Sequence, residues 1–224
     1  MHRILIFNLG GTSTKLAVFD EETLVVEGTI RHTDREIQGC TDNAEQIAFR
    51  RGAIEAWLLE NHISLDDLSA VVIRSSGAGL CKKGGTYLVT GKLRDGMYAA
   101  YRSSFPKAPH PSFIVLPLAD EILGSRPVPI YIVDPDGVDE FQDVAYITGH
   151  PDLPRSSGFH VLNHKAIARK ASRDLGKRYE DADLVVAHMG GGISIAAHRH
   201  GLVVDSTSGG SAGEGPFCLL YTSP

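Results

Sequence analysis

Two stretches of this chain follow the same plan, and that repetition limits the possible folds more than any other feature. Near the start, a short apolar run (Arg3 to Phe7) is separated by Gly10 and Gly11 from a second run (Lys15 to Phe19). Asp20-Glu21-Glu22 then separates that run from a β-branched one, Leu24 to Ile30. Short apolar runs punctuated by glycine and acidic turns predict three consecutive strands. Later, DLVVAHMGGGISIAAHRHGLVVDS reads the same way: an apolar strand, a glycine turn, a strand through Ile195, a tight His200-Gly201 turn and a third strand at Leu202 to Val204. The correspondence rests on the order of the elements more than on residue identity, and it predicts an internal duplication.

Between these stretches the pattern turns helical. A helix is expected from about Asp42 to Glu60, capped by Asp42 with Glu45 as reciprocal partner. Ile47, Ile54 and Leu58 recur on one side of it, and Trp57 widens that side. Ser69 to Arg74 (SAVVIR) reads as a buried strand ending on a charge, helices are expected around 90–102 and 112–124, and Val128 to Val133 is a further strand. After Pro151 and Pro154 the pattern restarts with a helix near 160–176 that presents Ile167, Ala171 and Leu175 four apart. The fold class is therefore α/β in two units, 1–150 and 151 onward, with the second unfinished because few residues follow its third strand.

At 224 residues the chain can bury one large core or two modest ones, and its 42% hydrophobic and 22% charged content argues against disorder. A net charge of -5 without any basic tract argues against a nucleic-acid partner. MHRILIFNLGG runs straight into a strand without the features of a secretory signal, and no apolar run approaches the ~20 residues that cross a bilayer. Cys40, Cys81 and Cys218 are odd in number and widely spaced, which fits a reducing cytoplasm and offers no zinc-ligand spacing.

Glycine-rich turns can point several backbone N–H groups at a phosphate. Two such segments occur, Asn8-Leu9-Gly10-Gly11-Thr12-Ser13-Thr14-Lys15 and His188-Met189-Gly190-Gly191-Gly192-Ile193-Ser194. Neither has Walker spacing, and neither opens a helix as a dinucleotide fingerprint does; each leads into another strand. A plain hairpin turn accounts for either one alone. Two of them, one per repeat and both rich in hydroxyls, suggest lobes that grip a phosphate chain.

On these segments the chain resembles the acetate and butyrate kinase family, within the wider superfamily of sugar kinases, actin and Hsp70 ATPases. The butyrate kinase branch opens with N-x-G-S-T-S-T-K, matched by NLGGTSTK with Gly11 in place of serine. KKGGTYLV, VDPDGVDEF, FHVLNHKAIAR, HMGGGISIAAHRHGLVVD and GEGPF follow in family order, so that the resemblance spans about residues 3 to 217. It implies duplicated RNase H-like (actin-like ATPase) lobes with mixed β-sheets. Residues 1–150 would form the N-terminal lobe, 151–217 the beginning of an incomplete second lobe, and 218–224 a tail outside the family pattern. It also implies reversible transfer of the γ-phosphoryl group of ATP, with Mg²⁺, to butyrate or a related short- or branched-chain carboxylate, in a homo-oligomer when full-length. Acetate is the less favoured acid, and an actin- or Hsp70-like binding ATPase is disfavoured because the acid-kinase segments recur in order. Such chemistry needs positioning and charge neutralisation more than a base, because the carboxylate nucleophile is already ionised.

Residue by residue, the resemblance places Asn8 beside the metal and phosphates, and Gly10, Gly11, Ser13 and Lys15 in the loop near the transferring phosphate. It aligns Arg74 with an arginine that meets the carboxylate and phosphoryl groups, a task suited to a planar guanidinium. Asp134 aligns with an aspartate near the metal, and His160 with a histidine that hydrogen-bonds the phosphoryl group. His188, Gly190, Gly191 and Gly192 align with the nucleotide-phosphate loop and Asp205 with an aspartate after it; His164 has no assigned role. Each has a plainer alternative: a turn for Asn8 or Asp134, a solvated charge for Lys15 or Arg74, a helix-start histidine for His160.

The pattern fails in three places. YRSSFPKAPHPSFIVLPLADEI replaces the branch's histidine-alanine-serine-asparagine stretch, its Pro106, Pro109, Pro111 and Pro117 break any continuous helix, and it reads as a foreign segment between good flanks. STSGGSAGEGPF lacks the usual asparagines. CLLYTSP stands where a second catalytic arginine is expected, so the chain is expected to bind nucleotide without making acyl phosphate.

Overall fold

The computed structural model describes residues 1–107, 110–147, 152, 155–190 and 192–207. It divides into two compact units: Met1–Ala78 with Thr86–Val133, and Gly79–Gly85 with the chain from Asp134 onward.

The first unit is built on a six-stranded mixed sheet. Strands β1 (Arg3–Leu9), β2 (Ser13–Asp20) and β3 (Thr23–Arg31) form the expected antiparallel meander. β4 (Ala70–Ile73) and β6 (Ile130–Val133) extend it in parallel from β1, and β5 (Thr86–Leu88) closes the order β3-β2-β1-β4-β6-β5. Strands alternate faces, so Leu5, Phe7, Leu9, Leu16 and Val18 point to one buried side. The long helix of this unit supplies Ile47, Ile54 and Leu58 as buried residues, as the periodicity predicts, and Trp57 lies over Gly28 of β3. Asp42 caps it by accepting from the Glu45 N–H, but the Glu45 carboxylate returns to the Thr41 N–H rather than to that of Asp42.

A short helix before it, α1 (Asp34–Gly39), was not expected; Thr33 and Glu36 make a full capping box at its start. The long helix is thus α2 (Asn43–Glu60). α3 (Gly91–Ser103) and α4 (Val115–Leu123) occupy the predicted helical stretches. The proline-rich stretch does interrupt the helix, yet it is no foreign insert structurally: Ile114, Val115, Leu116 and Leu118 are fully buried. Pro117 sits in the first turn of α4, where its missing N–H is not needed. Exposed His110 caps the turn before α4 by accepting from the Ser112 N–H. Pro109 lies outside the described residues, as do Pro151, Pro154 and Cys218. Cys40 and Cys81 are buried free thiols.

The second unit repeats the meander. β7 (Leu184–Met189), β8 (Ile193–Arg199) and β9 (Leu202–Ser206) form an antiparallel sheet in which a glycine turn is again followed by a two-residue turn. In both meanders the third pair after the two-residue turn skips one residue of the last strand, Val25 in one and Val204 in the other. A shared bulge at the same register position is stronger support for duplication than the sequence order alone. His200 and Gly201 both take positive φ, as a tight two-residue turn requires.

α5 (Val161–Asp174) covers this sheet, but with a different face from the one expected. Val161, His164, Lys165, Ala168 and Ser172 are buried, whereas Ile167 and Leu175 are exposed. Polar groups can line the inner face because each finds a partner inside. Lys165 Nζ lies 2.8 Å from Glu140 Oε2 and 3.2 Å from the Gly201 carbonyl. Glu140 in turn accepts from Gly84 N (2.6 Å) and Val203 N (2.9 Å). The Lys165 stem runs so close to Gly84 that an added Cβ would meet its Cε at 2.5 Å and would push the lysine from its place beside Glu140. These bonds, with Asp139 N to the Lys82 carbonyl at 2.8 Å, assign 79–85 to the second unit. The unit also takes in 134–147, ahead of the boundary expected at 150, because Val138, Phe141 and Ala145 pack with Phe159, Val161, Ala196 and Val203. Among the described residues, no helix is long and apolar enough to cross a membrane.

Removing one partner of a buried ion pair leaves an uncompensated charge. Lys165→Met should lower unfolding free energy by ~3–5 kcal/mol, and adding Glu140→Gln should recover part of it; urea titrations of both variants measure this.

Candidate active site

In the first unit the predicted residues gather at one end of the sheet. β1 and β4 run parallel, and their C-terminal ends are where α/β sheets expose ligand groups. Asn8 lies directly opposite Lys15 across the β1–β2 pair, on the face away from α2. Ser13 opens β2, and its Oγ comes within 2.9 Å of where a Cβ at Gly10 would stand. A Cβ at Gly11 would meet nothing within 4 Å, so the departure from the family serine has no steric consequence. Arg74 follows β4 and its N–H donates to the Phe7 carbonyl at 3.0 Å, which sets it beside Asn8 in register.

Sequence reasoning missed the residue beneath this loop. The α2 residue Arg50 is fully buried; its guanidinium donates to the Gly10, Gly11 and Ser13 carbonyls and to Thr14 Oγ1, at 2.9–3.0 Å. Thr14 Oγ1 also pairs with His32 Nε2 at 2.8 Å. Burial, and secondarily the Arg50 charge, lower the His32 pKa. The available signal was position: Arg50 falls on the Ile47–Ile54–Leu58 stripe, where a charge has no business unless it is partnered.

In the second unit a line of histidines crosses the interface between α5 and the sheet. His188, one residue before the end of β7, lies directly opposite Ser194, and Asn8 and Lys15 likewise form the next-to-last pair before the turn in the first meander. Ser194 Oγ lies 2.8 Å from both His160 Nδ1 and His164 Nε2. One hydroxyl proton cannot serve two acceptors, so at least one of these two ring nitrogens carries a proton. The His160 and His188 rings stack with centroids 3.8 Å apart, and Asn163 Nδ2 donates to His188 Nδ1 at 2.7 Å. Behind them His164 stacks on His198, whose Nδ1 lies 2.7 Å from the Tyr179 hydroxyl. Burial first, then neighbouring histidines, push His164 down to about 4; burial, His164 and Lys165 do the same to His198. Both are therefore neutral at pH 7. His164 thus has a structural place in the site that the sequence left unassigned.

Asp134 takes a left-handed backbone, φ 42°, unusual for a residue with a Cβ. It is held by a double clasp with Gly85, Asp134 N to the Gly85 carbonyl at 2.9 Å and Gly85 N to Asp134 Oδ1 at 2.8 Å. Arg169 of α5 adds a fork, Nη1 to Oδ2 at 2.5 Å and Nη2 to Oδ1 at 3.2 Å, which raises the Arg169 pKa. Arg169 was not singled out, although it ends the motif FHVLNHKAIAR one turn after Lys165.

Asp205 does not join the histidines. It pairs with Ala197, whereas His188 and Ser194 share the opposite, α5-facing side of the sheet. Arg155 Nη1 lies 3.0 Å from Asp205 Oδ1, near enough for an ion pair though not aligned as a hydrogen bond. Gly190 and Gly192 flank the second glycine turn, where Gly190 N donates to the Gly192 carbonyl at 3.0 Å. Gly191 and the stretch from 208 onward, with GEGPF and CLLYTSP, lie outside the described residues.

The resemblance implies Mg²⁺ near Asn8 and Asp134, and Asp134 does not fit direct ligation as it stands. Its carboxylate is fully buried and both oxygens are committed to Arg169 and Gly85. Among the described residues no cluster of three or more His, Cys, Asp or Glu is arranged to hold an ion.

Because the unfolded histidines have pKa 6.5 and the folded ones about 4, the native state resists protonation. Stability should be full above pH 6.5 and fall as pH drops towards 4, by roughly 3 kcal/mol per histidine. Urea midpoints at pH 7.5, 6 and 5 test this, and a flat profile would contradict it.

Comparisons with known proteins bear on the fold and on overall similarity. Residues 150–216 match the family described as "Acetokinase family". The chain is 41% identical over 219 residues to butyrate kinase 1 of Clostridium acetobutylicum, covering 97% of this chain and 59% of that protein. It is 40% identical over 218 residues to a probable butyrate kinase of Clostridium botulinum, covering 96% and 59%. The chain thus spans less than two thirds of the curated relatives it matches. Among solved structures it superposes on Porphyromonas gingivalis acetate kinase with TM-score 0.68 and 18% identity, covering 93% of this chain and 58% of the other. A propionate kinase from Francisella tularensis gives 0.64 and 17%, covering 93% and 58%. These structural matches show the actin-like ATPase fold, and over nearly its whole length the chain is similar in sequence to butyrate kinases, with its 150–216 stretch matching the acetokinase family.

Proposed function

We propose that this chain supplies phosphate- and acid-binding residues of an ATP-dependent carboxylate kinase acting on butyrate or a related short- or branched-chain acid. The observation that carries this reading is the matched pair of glycine hairpins. Each follows a strand whose penultimate residue is polar, Asn8 or His188, set opposite Lys15 or Ser194 in the next-to-last pair before the turn. In this reading Asn8, Gly10, Gly11, Ser13 and Lys15 hold phosphate oxygens of magnesium-bound ATP, as do His188 and the 190–192 turn. Arg74 receives the acid, because a guanidinium fork matches a carboxylate and neutralises charge as it attacks. His160 donates to the transferring phosphoryl group, its ring oriented by Ser194 and by stacking on His188. Asp134 acts by holding Arg169 rather than by ligating metal, while Asp205 serves the nucleotide from the other face of its sheet. The acid itself needs no base. The similarity to butyrate kinases supports a four-carbon acid over acetate.

Hydroxylamine trapping of acyl phosphate by a full-length version, with ATP, Mg²⁺ and butyrate, isobutyrate or acetate, tests the reading. A larger kcat/KM for the four-carbon acids is expected. Arg74→Ala should lower kcat/KM by about 10²–10³-fold, and Arg74→Lys should recover only part. A preference for acetate would overturn the choice of acid. ATP binding without product from any acid would leave a nucleotide-binding fold without turnover.

A further inference from the structure

Arg50 stands out because it is fully buried yet has no carboxylate partner among the described residues. A buried cation is ordinarily paired, since desolvating a lone charge costs several kcal/mol. Here only neutral oxygens compensate it, and its Nε has no hydrogen-bond partner among the described residues. Burial lowers its pKa to about 10, so it stays charged at neutral pH.

Its acceptors are not scattered. Nη2 takes the Gly10 and Gly11 carbonyls at 2.9 Å each, and Nη1 takes the Ser13 carbonyl at 3.0 Å. The remaining carbonyl of the turn, that of Thr12, accepts from His32 N at 2.9 Å. Every carbonyl from 10 to 13 is thereby occupied. The Gly11 and Thr12 N–H groups, on exposed residues, donate to no acceptor among the described residues. The turn therefore has a direction: three of its four carbonyls are gathered inward on a cation and the fourth on His32, and two amides are left for something else. Successive amides of that kind, with positive charge behind them, form an anion-binding concavity.

We infer that Arg50 is a positioning residue that turns the Gly10–Ser13 loop amide-side out, and that its unpaired charge is the counter-charge for a phosphate chain bound on that loop. The inference rests on the reading that this loop binds phosphate. Arg50 does not touch the ligand; it acts through the peptide groups between them.

Inorganic triphosphate is the suitable probe, because it carries the phosphates without base or acid. Binding to the full chain is followed by calorimetry at several salt concentrations, for wild type, Arg50→Lys, Arg50→Met and Lys15→Ala. The expected result is at least tenfold weaker binding for Arg50→Met with a shallower salt dependence, and an intermediate loss for Arg50→Lys, whose ammonium keeps the charge but not the fork. A residue that merely stabilised the fold would shift the melting temperature and leave the salt dependence of the folded fraction unchanged. If folded Arg50→Met binds within twofold of wild type while Lys15→Ala binds weakly, the inference fails and the loop still binds phosphate. If wild type does not bind triphosphate, both fail. Should Arg50→Met not fold, wild type decides: the Arg50 Nε–H resonance should move along the triphosphate titration with the same midpoint as the calorimetry, and a stationary resonance overturns the inference.

Discussion

Register is the constraint on which the rest of this molecule depends. A short glycine turn followed by a two-residue turn leaves each meander one way to pair, and pairing decides the face of every side chain. A slip of one residue would send Leu5, Phe7 and Leu16 to the side of Asn8 and Lys15 and dismantle core and loop together. The second meander obeys the same rule with different partners. There the helix covers the side bearing His188 and Ser194, whereas in the first it covers the side bearing Phe7 and Leu16. One strand plan thus offers either face to a helix, and the choice determines whether the polar ends of the strands lie in the packed layer or outside it.

Much of this was legible in the sequence, because short turns and alternating strands are local signals. The two meanders, the His200-Gly201 turn, α2 with its cap, and the strands ending near Arg74 and Val133 all follow from patterns a few residues long. What escaped reading is the polar interior. The face of α5 could not be chosen from apolar spacing, since Ile167, Ala171 and Leu175 make the better stripe while His164, Lys165 and Ser172 make the buried one. Their burial is decided by Glu140, Ser194 and other partners remote in the chain, and pairwise satisfaction of that kind leaves no periodic trace. Arg50 and Arg169 were missed for the same reason. A charged residue is assigned to solvent unless its acceptors are known, and those acceptors are backbone carbonyls in one case and a strained aspartate in the other.

The two units solve the burial of charge differently. Arg50 is met by neutral oxygens, three peptide carbonyls and the Thr14 hydroxyl, so its charge is not cancelled. Lys165 and Arg169 are neutralised by Glu140 and Asp134, and those carboxylates are fixed in turn by backbone amides of Gly84, Gly85 and Val203. The first arrangement keeps a charge available and the second uses charges to tie segments together. That contrast explains why Asp134, aligned with a metal-proximal aspartate, is better understood as an anchor for an arginine.

The chain passes from one unit to the other at Ala78/Gly79, returns at Gly85/Thr86 and passes again at Val133/Asp134. The seven residues of that first excursion carry Lys82, Gly84 and Gly85, which bond to Asp139, Glu140 and Asp134. No single cleavage can therefore release either unit whole. A piece beginning at Asp134 would lack the backbone groups that clasp its own first residues, and dissection of this protein into halves would require grafting 79–85 onto the second.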